Sequence, residues 1–173
     1  MRTCPGCGLE LPGDAVDLPP RVGYLATPEC HALMGEIVAY EAANPAQLLR
    51  WHQLTVDAYG AQHTGPRTRT ITTAFALNGL YLVLERGFSG THAREAHGYL
   101  AETVPEWPRF APPSGPPAYA VTVLDVALAG SPEEHRDLLM RWGGCAWDAW
   151  RHVHAEVAEM TDRQLRGWRP ASA

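Results

Sequence analysis

Residues 131–160 read SPEEHRDLLMRWGGCAWDAWRHVHAEVAEM. Ser131-Pro132-Glu133-Glu134 is a capping box with proline at the first helical position, so a helix opens there. Leu139, Trp142, Ala146, Trp150, Val153, Val157 and Met160 then recur in steps of three and four. That period gathers side chains on one face of a helix and scatters them across both faces of a strand. Gly143-Gly144 in the middle costs roughly 2 kcal/mol of helix propensity for the pair. Either a neighbouring helix approaches closely at that point or the helix bends.

Working back from this stretch, helix signals dominate the chain. Arg67 to Arg86 carries Ile71, Phe75, Leu77, Leu80, Tyr81, Leu82 and Leu84 and is apolar on most sides, which marks it as the central helix of the core. Gly87 ends it. Thr27-Pro28-Glu29 supplies a cap, a first-turn proline and an acid at the positive end of the dipole, opening a helix to about Ala43. Asn44-Pro45 repeats the signal and opens a second helix to about His63, stopped by Thr64-Gly65-Pro66. A shorter helix spans about Thr91 to Thr103. Residues 104–120 hold six prolines and read as an extended surface loop. Val121 to Leu128 fits a short helix, because no partner strand is in view. Residues 1–26 are interrupted by proline and glycine throughout and read as loop. The expected fold is all-α, a helical bundle over residues 27–173 with a zinc-knuckle-like arm over residues 1–26, forming one compact domain.

Composition narrows the function classes. The chain has 173 residues and a formal net charge of −5, and all its basic residues are arginine. They are scattered, and the densest group is Arg67-Thr68-Arg69, too little for a nucleic-acid footprint. No apolar run approaches the roughly 18 residues of a membrane span, and Met1 to Cys7 lacks the apolar core of a signal peptide. A cytoplasmic setting follows as the expectation. There the four cysteines stay reduced, which favours metal ligation or redox chemistry over disulfides.

Cys4-Pro5-Gly6-Cys7-Gly8 is the most specific signal in the chain. Two thiolates two residues apart grip one ion, and the glycines let backbone amides turn toward the sulfurs, as in zinc knuckles. A redox pair would instead sit at a helix start after a strand, and Pro-Gly followed by Gly8 resists helix. Cys30 is the natural third ligand, in the first turn of a helix whose dipole stabilises a thiolate. Cys145 lies among tryptophans and reads as a small apolar side chain.

A closed zinc site requires a fourth ligand, and His31, His52 and His63 compete for it. If the first two helices form a hairpin turning at Asn44, the level of Cys30 on the second is near Ala58. His63 then lies about 7 Å further, at the end where the arm docks, and His52 about 9 Å short. His31 adjoins Cys30 but points about 100° around the helix. This favours His63. His52, Tyr59 and His63 also share one stripe, with Asp57 off it. That stripe is either a core face or, with His154 of the last helix, the wall of a catalytic pocket in which a histidine near a carboxylate acts as base or metal ligand. His92, His97 and His135 sit among polar residues and are expected at the surface. The tryptophans of the last helix read as core packing.

The set Cys4-Pro-Gly-Cys7-Gly8, Thr27-Pro-Glu-Cys30, Leu54-Thr-Val-Asp57-Ala-Tyr59-Gly-Ala-Gln62-His63 and Leu84-Glu-Arg-Gly87 resembles an uncharacterised family of small bacterial proteins of unknown function. The likeness extends to Trp147-x-x-Trp150 and covers most of the chain. His52 and His154 fall where that family's pattern carries histidine, whereas His31 stands where it carries tryptophan. The resemblance supports the metal site and implies no reaction.

Three functional readings compete. In the first, zinc held by Cys4, Cys7, Cys30 and His63 pins the arm to the bundle of an accessory or binding protein. In the second, the chain is a metal-dependent enzyme on a small molecule, with His52, Asp57, Tyr59 and His154 in its pocket. In the third, oxidation of Cys4, Cys7 or Cys30 releases zinc and frees the arm, making a sensor. Substrate and partner, whether a small molecule or a protein, are not written in the residues.

Overall fold

In a computed structural model of the chain, residues 1–13, 23–114 and 119–171 are described. The molecule is a helical bundle, and its one described sheet is a two-stranded ribbon in the N-terminal arm. β1 (Arg2–Thr3) runs antiparallel to β2 (Glu10–Leu11), with Arg2 opposite Leu11 and Thr3 opposite Glu10. Loop is what the sequence predicts here, because two-residue strands are too short to display any alternation.

The helices are α1 (Pro28–Ala43), α2 (Pro45–Leu48), α3 (His52–Gln62), α4 (Thr70–Leu84), α5 (Gly90–Thr103), α6 (Val123–Ala127), α7 (Pro132–Ala149) and α8 (His154–Gln164). Start signals behave as their chemistry dictates. Thr27 accepts a bond from the Cys30 amide at 3.3 Å, and Ser131 accepts from the Glu134 amide at 3.2 Å. Glu134 reaches past Ser131 to accept from the Gly130 amide, so this box closes one residue early. The reciprocal box forms instead at Thr122 and Asp125, where it opens α6. The central helix begins at Thr70 and not at Arg67, because Thr68 is occupied in a turn, accepting from the Gly65 amide and donating to the Gly23 carbonyl.

Two segments that read as single helices are each interrupted by a 3₁₀ turn. Residues 49–51 separate α2 from α3, and residues 151–153 separate α7 from α8. The first break lies where the start of α5 packs in: a Cβ on Gly90 would stand 2.5 Å from the Arg50 carbonyl oxygen. The second follows Trp150, which is fully buried and donates its indole N–H to the Ala61 carbonyl at 3.1 Å. The glycine pair does not interrupt the helix, which runs unbroken from Pro132 to Ala149. A Cβ on Gly143 would meet Leu54 Cδ1 at 3.0 Å, so close approach is its role, while Gly144 faces open space.

α4 lies at the centre, with α3, α5, α7 and α8 against it. Ala74, Leu77, Leu80 and Leu82 are buried along it beside Trp142 and Trp150. The tryptophan N–H groups are satisfied, Trp142 by Gln62 Oε1 at 2.8 Å. Among the described residues, no helix is long and apolar enough to cross a membrane.

Candidate metal centre

The arm folds onto the start of α1 and the end of α3. Within it, the Cys4 amide donates to the Leu9 carbonyl at 2.8 Å and the Gly8 amide to the Cys4 carbonyl at 2.9 Å, closing a tight turn. Gly8 holds φ at +76°, a conformation glycine adopts without steric cost. Gly6 is required for a different reason. A Cβ there would stand 2.3 Å from the Leu25 carbonyl oxygen and 2.7 Å from His63 Cδ2, so the turn can approach the histidine only without a side chain. The Leu25 amide donates to the His63 carbonyl at 2.7 Å and ties the returning chain to the end of α3.

This packing brings Cys4, Cys7, Cys30 and His63 together, all buried, with one ligand atom from each within 4.8 Å of the others. Cys7 Sγ lies 3.8 Å from Cys30 Sγ, and Cys30 Sγ lies 3.3 Å from His63 Nε2. Thiolates bound tetrahedrally to zinc at about 2.3 Å stand about 3.8 Å apart, so the donor set fits such an ion. His63 Nδ1–H donates to the Tyr59 carbonyl at 2.8 Å, which leaves Nε2 as the free lone pair facing the sulfurs. The Tyr59 ring stacks on His63 at 4.0 Å between centroids.

The thiols alone are a frustrated group. Hydrogen bonds from Cys30 and then Cys7 hold Cys4 well below the ordinary thiol range. The reverse contacts, first with Cys4 and then with Cys7, together with burial, push Cys30 far above it. A cation among the sulfurs would favour the charged form of all three. The four cysteines of the chain are free of disulfides.

The other histidines and acids find separate partners. His31 shares a 3.4 Å hydrogen bond with Tyr59 Oη and takes no place among the four. His52 Nδ1 lies 2.7 Å from Glu41 Oε2. Asp57 accepts from Gln53 Nε2 at 2.9 Å, and its Oδ2 is buried with no partner beside Gly79. His154 stacks on Trp147 at 3.7 Å and bonds its carbonyl. His52, Asp57, Tyr59 and His154 thus turn to different neighbours.

Two surface expectations are corrected. His135 is 1% exposed and bonds Glu41 Oε1 at 3.1 Å, while His97 is 5% exposed and stacks flat on Phe75 at 4.6 Å. Their sequence neighbours are polar, but their partners come from other helices. Glu41 is the residue that sequence reading missed. Burial alone would raise its pKa, yet bonds from His135, His52 and Thr55 outweigh burial and keep it a carboxylate. The signal was available, since Cys30, Met34, Ile37 and Glu41 form the buried stripe of α1.

Comparison with curated proteins and with solved structures finds no match. The sequence profile of a family of unknown function, DUF5946, matches residues 2–151, most of the chain including all four clustered residues, and the protein belongs to that family.

Proposed function

We propose that this is a zinc-binding helical protein in which Cys4, Cys7, Cys30 and His63 hold one structural ion that pins residues 1–26 to the bundle of residues 27–173, and that it serves a reducing, cytoplasmic setting as an accessory or binding protein. The observation that carries the reading is the convergence of four buried donors, from the arm, α1 and the end of α3, within 4.8 Å. The donor set selects the ion: three thiolates and one imidazole suit zinc, and four protein ligands leave no position for a reacting water. Zinc would supply charge neutralisation and a cross-link between the arm, α1 and the end of α3. His63 would be oriented by Tyr59, and Gly6 would admit the turn.

Elemental mass spectrometry on untagged protein tests this. One zinc per chain is expected, lost in Cys30→Ser and in His63→Ala with a fall in melting temperature. Wild-type protein without zinc overturns the reading.

A second reading, a catalytic role for His52, draws on one observation. Its Nδ1 meets the buried Glu41 carboxylate at 2.7 Å while its side chain remains 31% exposed, so the imidazole is held by an acid and reachable from solvent.

A further inference from the structure

Beside the knuckle lies a cavity of 670 Å³, bounded by Pro5 and Gly6 of the cysteine turn, by α3 and α4, and by Phe110 to Pro113 of the proline-rich loop. That volume lies in the range of small-molecule pockets. Its polar side chains are nearly all committed to the protein. Gln62 donates to the Val121 carbonyl and accepts from Trp142. Thr68 accepts from the Gly65 amide and donates to the Gly23 carbonyl. Thr64 donates to the Gly60 carbonyl, so Thr73 is the donor in the 3.4 Å contact between those two hydroxyls. Trp150 gives its N–H to Ala61. An occupant meets walls of ring and aliphatic carbon with few free donors, a surface that rewards an apolar body.

Arg109 breaks the pattern. It lines the cavity, is exposed to solvent, and its one described hydrogen bond is a 3.5 Å contact with Thr70 Oγ1. A guanidinium carries five N–H donors, so most remain available. No aspartate or glutamate is among the described residues lining this cavity, although Arg109 and Thr70 also border a second cavity that carries Glu106, Glu156 and Glu159. Tyr119 is an ordinary phenol and adds no negative charge near neutral pH. Thr70 also opens α4, a helix whose cap residue Arg69 makes no side-chain capping bond, so its positive end lies at the same edge.

We propose that this cavity binds a small organic monoanion, an apolar and ring-sized body with one carboxylate, the body enclosed by the cavity and the carboxylate on Arg109 at its mouth. A single guanidinium balances one charge, and its planar fork matches a carboxylate. A phosphate monoester brings a second charge with no second cation to meet it. The inference goes beyond the metal centre and does not depend on which ion sits there.

Calorimetric titration of the full chain as purified, with naphthylacetate, naphthylacetamide and naphthyl phosphate as probes, tests it. Naphthylacetate is expected to bind at least about tenfold more tightly than either of the others. Arg109→Gln removes that preference and leaves the amide's affinity unchanged, whereas Arg166→Gln, in a different cavity, alters neither. Melting curves verify that both variants fold. Equal affinity for acid and amide, tighter binding of the phosphate, a preference that survives Arg109→Gln, or no heat from any probe at about 1 mM overturns the proposal. Zinc measured in the same samples separates this failure from failure of the metal reading.

Discussion

Gly6 and Asp57 show how much single positions carry. At Gly6 the missing side chain is the function, because any Cβ collides with the Leu25 carbonyl and the ring of His63. Gly6→Ala is expected to weaken zinc binding by about tenfold or more, the scale of losses when groups that orient a ligand are disturbed. Competition with a chromophoric chelator measures it, and unchanged affinity would show that the turn can relax. Asp57 is the opposite case, a side chain that opposes folding. Burial raises its pKa well above the ordinary carboxylate value, and the Gln53 bond only partly offsets that. Because the folded pKa is raised, this group's favourable contribution is present below the unfolded pKa and is lost as pH rises through the folded one. Asp57→Asn keeps an acceptor for Gln53 and removes the ionisable group. It should raise stability at neutral pH by on the order of 1–3 kcal/mol, with the gain vanishing toward pH values below about 4. Urea unfolding at several pH values reports this directly, and a destabilised variant at neutral pH would contradict it.

At the scale of elements, the bundle rests on close approach between helices, and the two neighbouring glycines of α7 separate that effect from propensity. Gly143→Ala drives a methyl to 3.0 Å from Leu54 Cδ1 and should cost about 1–3 kcal/mol. Gly144→Ala meets nothing and should stabilise by up to about 1 kcal/mol. Thermal unfolding of the pair is the check, and equal shifts in one direction would mean that α7 is not seated against Leu54 as described. The helices were legible because their signals are local: caps, first-turn prolines and the three-four period all act within a few residues. The 3₁₀ interruptions were not, since they answer to Gly90 packing on Arg50 and to the anchoring of Trp150, contacts between distant segments. The meeting of Cys30 and His63 was legible only in part from helix heights, which put His63 about 7 Å beyond the level of Cys30; the expectation that the arm docks at that end was needed to choose it. His97 and His135 were not, because polar neighbours in sequence say nothing about Phe75 or Glu41 approaching from another helix.

At the scale of the molecule, the described residues of the arm attach by apolar packing as well as polar bonds: Leu9, Leu11 and Tyr24 pack against the core, and the Tyr24 ring meets Tyr59 edge-on at 5.4 Å between centroids. Leu25 bonds the end of α3, Thr68 bonds Gly23, and Arg2 pairs with Glu29 at 3.5 Å. An ion binding only the folded state would stabilise it in proportion to the logarithm of its concentration over its dissociation constant. On the proposed reading, stability divides between a packed interior around α4 and a metal clasp formed by Cys4, Cys7, Cys30 and His63, with a cavity beside the clasp. X-ray absorption at the zinc edge tests that clasp most directly. Three sulfurs at about 2.3 Å and one nitrogen at about 2.0 Å are predicted. An absent zinc edge, fewer than three sulfurs, or a light-atom ligand that persists unchanged in His63→Ala would contradict the account.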